Sequence, residues 1–92
     1  PFHQADVTIG RTYLFIEAQA DCVKDEEVEK VKVKFYSVYG ELEYDLKYIG
    51  KNMFELEHDI RKIHNFSMYE EVEFFSYDKS GNLLANKKVK IQ

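Results

Sequence analysis

The chain is short of nearly everything that marks a specialised chemistry. It holds a single cysteine, Cys22, among its 92 residues. That excludes an internal disulfide framework and a cysteine-rich zinc site. There is no tryptophan, and the one proline is Pro1. No apolar run approaches the roughly 20 residues that a membrane-spanning helix needs. No glycine-rich phosphate loop is present, and no nucleophile elbow surrounds Ser67, Ser76 or Ser80. Basic residues are the minority: 13 Lys and Arg against 17 Asp and Glu give a formal net charge of −4. That balance argues against a nucleic-acid partner, which needs a basic surface or stripe. The first residue is Pro1 rather than Met. This reads as a processed product or a module cut from a longer protein.

What is there bounds one domain over residues 1–92. A chain of this size buries about 60–65% of its unfolded surface, enough for one modest core. The aromatic share of 15% and hydrophobic share of 45% exclude disorder. The dominant signal is alternation with a period of two, the mark of a half-buried strand. In Thr12–Ala20, Leu14, Ile16, Ala18 and Ala20 share one face. In Glu29–Val38, Val31, Val33 and Phe35 face in, while Lys30, Lys32 and Lys34 face out. Glu41–Ile49 reads as one strand, with Leu42, Tyr44, Leu46 and Tyr48 opposite Glu41, Glu43, Asp45 and Lys47. Met53–Ile60 sets Phe54, Leu56, His58 and Ile60 against Glu55, Glu57 and Asp59. Tyr69–Asp78 turns Val72 and Phe74 inward, and Leu83–Ile91 turns Val89 and Ile91 inward. A short strand, Asp6–Ile9, precedes them all. Gly10, Gly40, Gly50 and Gly81 fall between these runs, where glycine eases tight turns. The glycine-free connections Asp21–Glu27 and Arg61–Met68 read as crossovers between sheets, and Asp59–Tyr69 has room for one helical turn. Seven short strands at this spacing predict an all-β, antiparallel sandwich.

Three segments carry a family resemblance. They are VKVKFY (Val31–Tyr36), FELEHDI (Phe54–Ile60) and VEFFSYDKSGN (Val72–Asn82), with DVTIGRTYLFIEAQA (Asp6–Ala20) as the opening strand pair. Their order resembles a bacterial immunoglobulin-like module of the fibronectin type III-like kind. The resemblance spans nearly the whole chain and implies a seven-strand antiparallel immunoglobulin-like β-sandwich. The core tryptophan and paired cysteines of antibody domains are absent, so an antibody-domain reading falls away. The resemblance implies a non-catalytic accessory module, a spacer or an interaction unit of a larger cell-surface or secreted bacterial protein. Its partners would be neighbouring domains of the same chain, or a protein or polysaccharide ligand. Neither nucleic acid nor membrane insertion is implied, and the location would be extracellular.

The third, sixth and seventh strands would share a sheet, flanking Glu71 and Glu73 with Lys30, Lys32 and Lys34 on one side and Lys88 and Lys90 on the other. Such a ladder fixes register and keeps edges soluble. On the other sheet, Glu41, Glu43, Asp45, Glu55, Glu57 and Asp59 would share an outer face with Glu17. Adjacent like charges are unfavourable. The expected compensation comes from Lys47, Lys51 and Arg61, from a cation or from a basic partner. DKSGN resembles a fragment of a calcium loop without the acidic ligands that should follow, so no metal or other cofactor is assigned. His58 has inward parity and reads as a boundary histidine. His3 and His64 do not form a ligand set with it, and Cys22 has no visible base partner. Tyr13, Phe15, Tyr36, Phe75 and Tyr77 have outward parity, and Tyr39 sits in a turn. Exposed aromatics stack on sugar rings, so a carbohydrate-binding module attached to a glycoside-processing enzyme is the alternative. A protein–protein adhesion module is a further one. No titratable pair reads as an acid and base in a cleft, so the chain is not expected to be an enzyme.

Overall fold

The computed structural model describes residues 2–20 and 28–91. Cys22 and the 21–27 connection lie outside the described residues. The alternating runs become eight strands: β1 (Phe2–Ile9), β2 (Tyr13–Ala20), β3 (Lys30–Ser37), β4 (Gly40–Asp45), β5 (Lys47–Gly50), β6 (Met53–Asp59), β7 (Glu71–Tyr77) and β8 (Leu83–Val89). They form two four-stranded sheets, ordered β1-β2-β6-β5 and β4-β3-β7-β8. Every pairing is antiparallel. One hydrophobic cluster joins them. Leu14, Ile16, Val31, Val33, Phe35, Val72 and Phe74 are fully buried in it. These are inward residues of the alternating runs, so parity placed the core. Phe35 is at its centre, edge-on to Tyr44 at 6.3 Å and to Phe66 at 5.9 Å between ring centroids. Such aromatic pairs add about 0.5–1.5 kcal/mol beyond area burial.

The strand count differs from the seven expected. Glu41–Ile49 is not one strand but two, and they belong to different sheets. Glu41–Asp45 pairs with β3, from Tyr36↔Glu41 to Lys32↔Asp45. Lys47 and Tyr48 pair instead with Glu55 and Phe54 of β6. Leu46 lies between them, buried at 7% exposure, with its amide donating to the Val31 carbonyl at 2.9 Å. Alternation reports which side a residue faces, not which neighbour its backbone bonds. The pattern therefore runs unbroken through a change of sheet. Tyr48, expected in the core, stands at the edge beyond the crossing and is 55% exposed. The first strand is also longer than the Asp6–Ile9 expected, because Phe2–Ala5 pairs with Ala18–Ala20 around an irregularity between Phe2 and Gln4.

Local chemistry explains the turns. Gly50 (φ 100°), Lys51 (φ 51°) and Asn52 (φ 62°) take consecutive left-handed conformations between β5 and β6. A tight hairpin needs positive φ, and glycine and asparagine supply it cheaply. The β6–β7 connection carries two 3-10 turns, Ile60–Lys62 and Phe66–Met68, where one turn was expected. Asp59 caps the first by accepting the Arg61 amide proton at 2.9 Å. Phe2 lies level with Ala20 at one end of the strands, and Val89 lies level with Val72 at the other. The molecule is 37 Å long and 24 by 19 Å across.

Candidate functional site

The outer face of the β4-β3-β7-β8 sheet is the best organised surface among the described residues. Register sets its residues in rows. One row runs Glu43, Lys34, Glu73, Lys88, and the next runs Asp45, Lys32, Phe75, Asn86. The expected sharing of one sheet by β3, β7 and β8 is what the structure shows. The ion pairs, however, form mainly with β4. Lys32 Nζ lies 3.1 Å from Glu43 and 3.9 Å from Asp45. Lys34 Nζ lies 3.7 Å from Glu41 and 3.6 Å from Glu43. The Lys32 hydrogen bond holds the Glu43 carboxyl below its ordinary pKa, and the same bond raises that of Lys32. Lys34 also sits 5.5 Å above the Phe75 ring. Lys88 reaches Glu71 at 3.9 Å.

Glu73 is the functional candidate that the sequence concealed. It has outward parity, yet it is only 8% exposed. Its Oε1 accepts the Tyr36 hydroxyl proton at 3.0 Å, and its Oε2 accepts from Asn86 Nδ2 at 2.6 Å. Hydrogen bonds to a charged group contribute about 1.5–3 kcal/mol each. Burial, then the hydrogen bond to Glu73, push the Tyr36 phenol up to about 12. In sequence Glu73 is indistinguishable from Glu71. What differs is position: Glu73 stands mid-sheet between Lys34 and Lys88, hydrogen-bonded by Tyr36 and Asn86.

At the end of this face a groove of about 450 Å³ lies among Glu29, Lys30, Lys32, Tyr77, Lys79 and Gly81. The hairpin beside it is held by Asp78. Its Oδ1 accepts the amide protons of Ser80 at 2.9 Å and Asn82 at 2.8 Å. Those bonds, led by the Asn82 amide, lower the Asp78 pKa. In DKSGN, therefore, the carboxylate that a calcium loop would direct at an ion is turned onto its own hairpin.

The expected acidic face is split. Glu41, Glu43 and Asp45 stand on the β4-β3-β7-β8 sheet, while Glu17, Glu55, Glu57 and Asp59 stand on the other. The cause is the crossing at Leu46, which puts β4 beside β3 and its lysines. On the remaining sheet Glu17 lies opposite Glu55, and Lys47 flanks Glu55 from β5. Asp59 is bound by Arg61 Nη2 at 2.8 Å. The Arg61 hydrogen bond pulls the Asp59 carboxyl down to about 2. The outward aromatics divide too. Tyr13 and Phe15 lie on β2, and Tyr36, Phe75 and Tyr77 lie on the opposite sheet. Tyr39 is 83% exposed in the β3–β4 turn. They make no single platform. His58 stacks on Tyr44 at 4.9 Å, and exposed His64 contacts Asn65 at 3.1 Å. Among the described residues no three His, Cys, Asp or Glu side chains form a metal-holding group.

Comparison with protein-family models, with curated proteins and with solved structures returns no match.

Proposed function

We propose that the chain is an immunoglobulin-like β-sandwich module working as a non-catalytic accessory unit. It would space or present other domains of a larger cell-surface or secreted bacterial protein. The strand order supports the fold. In such sandwiches the first, second, fifth and fourth strands of the seven make one sheet, and the third joins the last two in the other. Here β1-β2-β6-β5 and β3-β7-β8 follow that order, with β4 added beside β3. The observation that carries the role is that the chain enters at the Phe2 end and leaves at the Val89 end of a 37 Å body. A tension between those ends runs along the strands. It loads the β1–β2 and β7–β8 ladders in shear, so their hydrogen bonds must give way together. A unit loaded this way holds neighbours apart at fixed distance.

Force spectroscopy with handles at residues 2 and 91 tests this. A single rupture is expected, releasing about 270 Å at ~3.5 Å per extended residue. Gradual lengthening without a rupture peak would reject a spacing role. The groove around Tyr77 supports a second reading, a polysaccharide ligand stacked on that ring between Lys30 and Lys79. Affinity electrophoresis in starch, xylan and soluble cellulose gels checks it. Retardation that disappears in Tyr77→Ala supports sugar binding, and unchanged mobility in all three gels removes it.

A further inference from the structure

The two edges of the β4-β3-β7-β8 sheet differ in charge. The β4 edge carries Glu41, Glu43 and Asp45 on its outward face. The β8 edge carries Lys88 outward, with Lys87 on the inward parity and Lys90 just beyond the strand. The hydrogen-bonded ladder ends at each edge, with β1 lying against β8 but not paired to it, and an edge strand of this kind templates a further strand. Because successive neighbours in this sheet are all antiparallel, β8 runs antiparallel to β4. A second copy in the same orientation can therefore set its β4 against β8 and continue the antiparallel sheet.

We infer that this chain self-associates head to tail through its β8 edge and the β4 edge of a second copy. The rows support the register. In one row the order Glu43, Lys34, Glu73, Lys88 alternates in sign and would continue with the next copy's Glu43. In the next row, Asn86 would meet Asp45. The symmetric alternatives are disfavoured, because β4 against β4 opposes acid to acid at each outward row. Pairing β8 with β8 gathers the lysines of both copies in one seam. Inward-facing Lys87 blunts the β8 edge in the free chain. In the head-to-tail seam its row neighbour is Tyr44, since Tyr44, Val33, Phe74 and Lys87 share a row. A lysine beside an aromatic ring is tolerated, so the seam forms weakly rather than not at all. Each contact leaves one free edge of each kind, so the association is open-ended. Sheet twist turns it into a screw advancing roughly 19 Å per copy.

Sedimentation of the 92-residue chain at rising concentration tests the inference. Average mass should climb with concentration. The association should weaken at least about tenfold between about 0.1 M and 1 M salt, as the screening length falls from roughly 10 to 3 Å. K88E and E43K should each remain monomeric, while an equal mixture should associate again, because each supplies the edge that the other lost. Circular dichroism checks that both keep their strands. E43Q, which keeps the shape of the side chain but removes the carboxylate set against Lys88, replaces E43K if that variant unfolds, and alone it should associate more weakly than the wild type. A wild-type chain that stays monomeric throughout at low salt overturns the inference. So does undiminished association of K88E alone, or a mixture that fails to recover.

Discussion

Glu73→Gln is the substitution that isolates the buried carboxylate. Glutamine keeps the shape and one acceptor oxygen, but it brings an amide that meets a donor where a carboxylate oxygen was. Tyr36 and Asn86 both donate to Glu73, so one of the two bonds must break. A bond to a charged acceptor contributes about 1.5–3 kcal/mol. Tyr36 is only half-buried and recovers part of that from water, so the expected cost is about 1–2 kcal/mol. In a domain of this size that lowers Tm by roughly 5–15 °C. Tyr36→Phe removes a single bond and should cost about 1 kcal/mol, and the double variant should cost less than the sum of the two. A second readout concerns the phenol. Its folded pKa, about 12, lies above the usual value near 10 for an unfolded chain. The stability it contributes is thus complete below about pH 10 and is lost as pH rises through 10 toward 12. In Glu73→Gln the ionisation of Tyr36, followed by tyrosinate absorbance, should begin at lower pH, though burial keeps it above 10. Unchanged thermal stability together with an unchanged tyrosine titration would refute the carboxylate's role.

Two further outcomes follow from the packing and the caps. Phe35→Ala empties the centre of the core and should cost about 3–5 kcal/mol in urea unfolding, whereas Leu56→Ala, at a half-buried site, should cost clearly less. Equal losses would mean that Phe35 is not the central residue. Asp59, held down to about 2 by Arg61, should titrate far below ordinary aspartates when its carboxyl is followed by NMR. Its contribution is present above about pH 4 and fades as pH falls toward 2. Arg61→Ala should return the midpoint to near 4, and a midpoint already there in the wild type would contradict the pairing.

Much of this architecture was legible in the alternation itself. Val31, Val33 and Phe35 on one strand and Val72 and Phe74 on another are buried as their parity requires. Parity is a local property, because a strand's side chains must alternate whatever lies beside it. Partner choice is not local. Leu42, Tyr44, Leu46 and Tyr48 keep one rhythm across a change of sheet, so the crossing was invisible. With it went the expectation of one acidic face. The same limit hid Glu73. Its burial comes from Tyr36, 37 positions away, and from Asn86, 13 positions away, and only register brings them together. The first half of the opening strand leaves no alternation to follow, because Phe2–Ala5 is mixed in polarity and pairs around an irregularity.

The crossing at Leu46 also shapes how the molecule opens. Of the passages from one sheet to the other, it is by far the shortest, a single residue between Asp45 and Lys47, whereas β6 to β7 takes Ile60–Glu70. On the far side β1 and β8 lie against each other without hydrogen-bonded pairing between them. The sheets are thus like two covers bound covalently along a spine at Leu46 and closed at the fore-edge only by the packing of β1 on β8. Thermal breathing should part them from the fore-edge, wetting Phe2 and Phe74 first, while the amides around Leu46 exchange last.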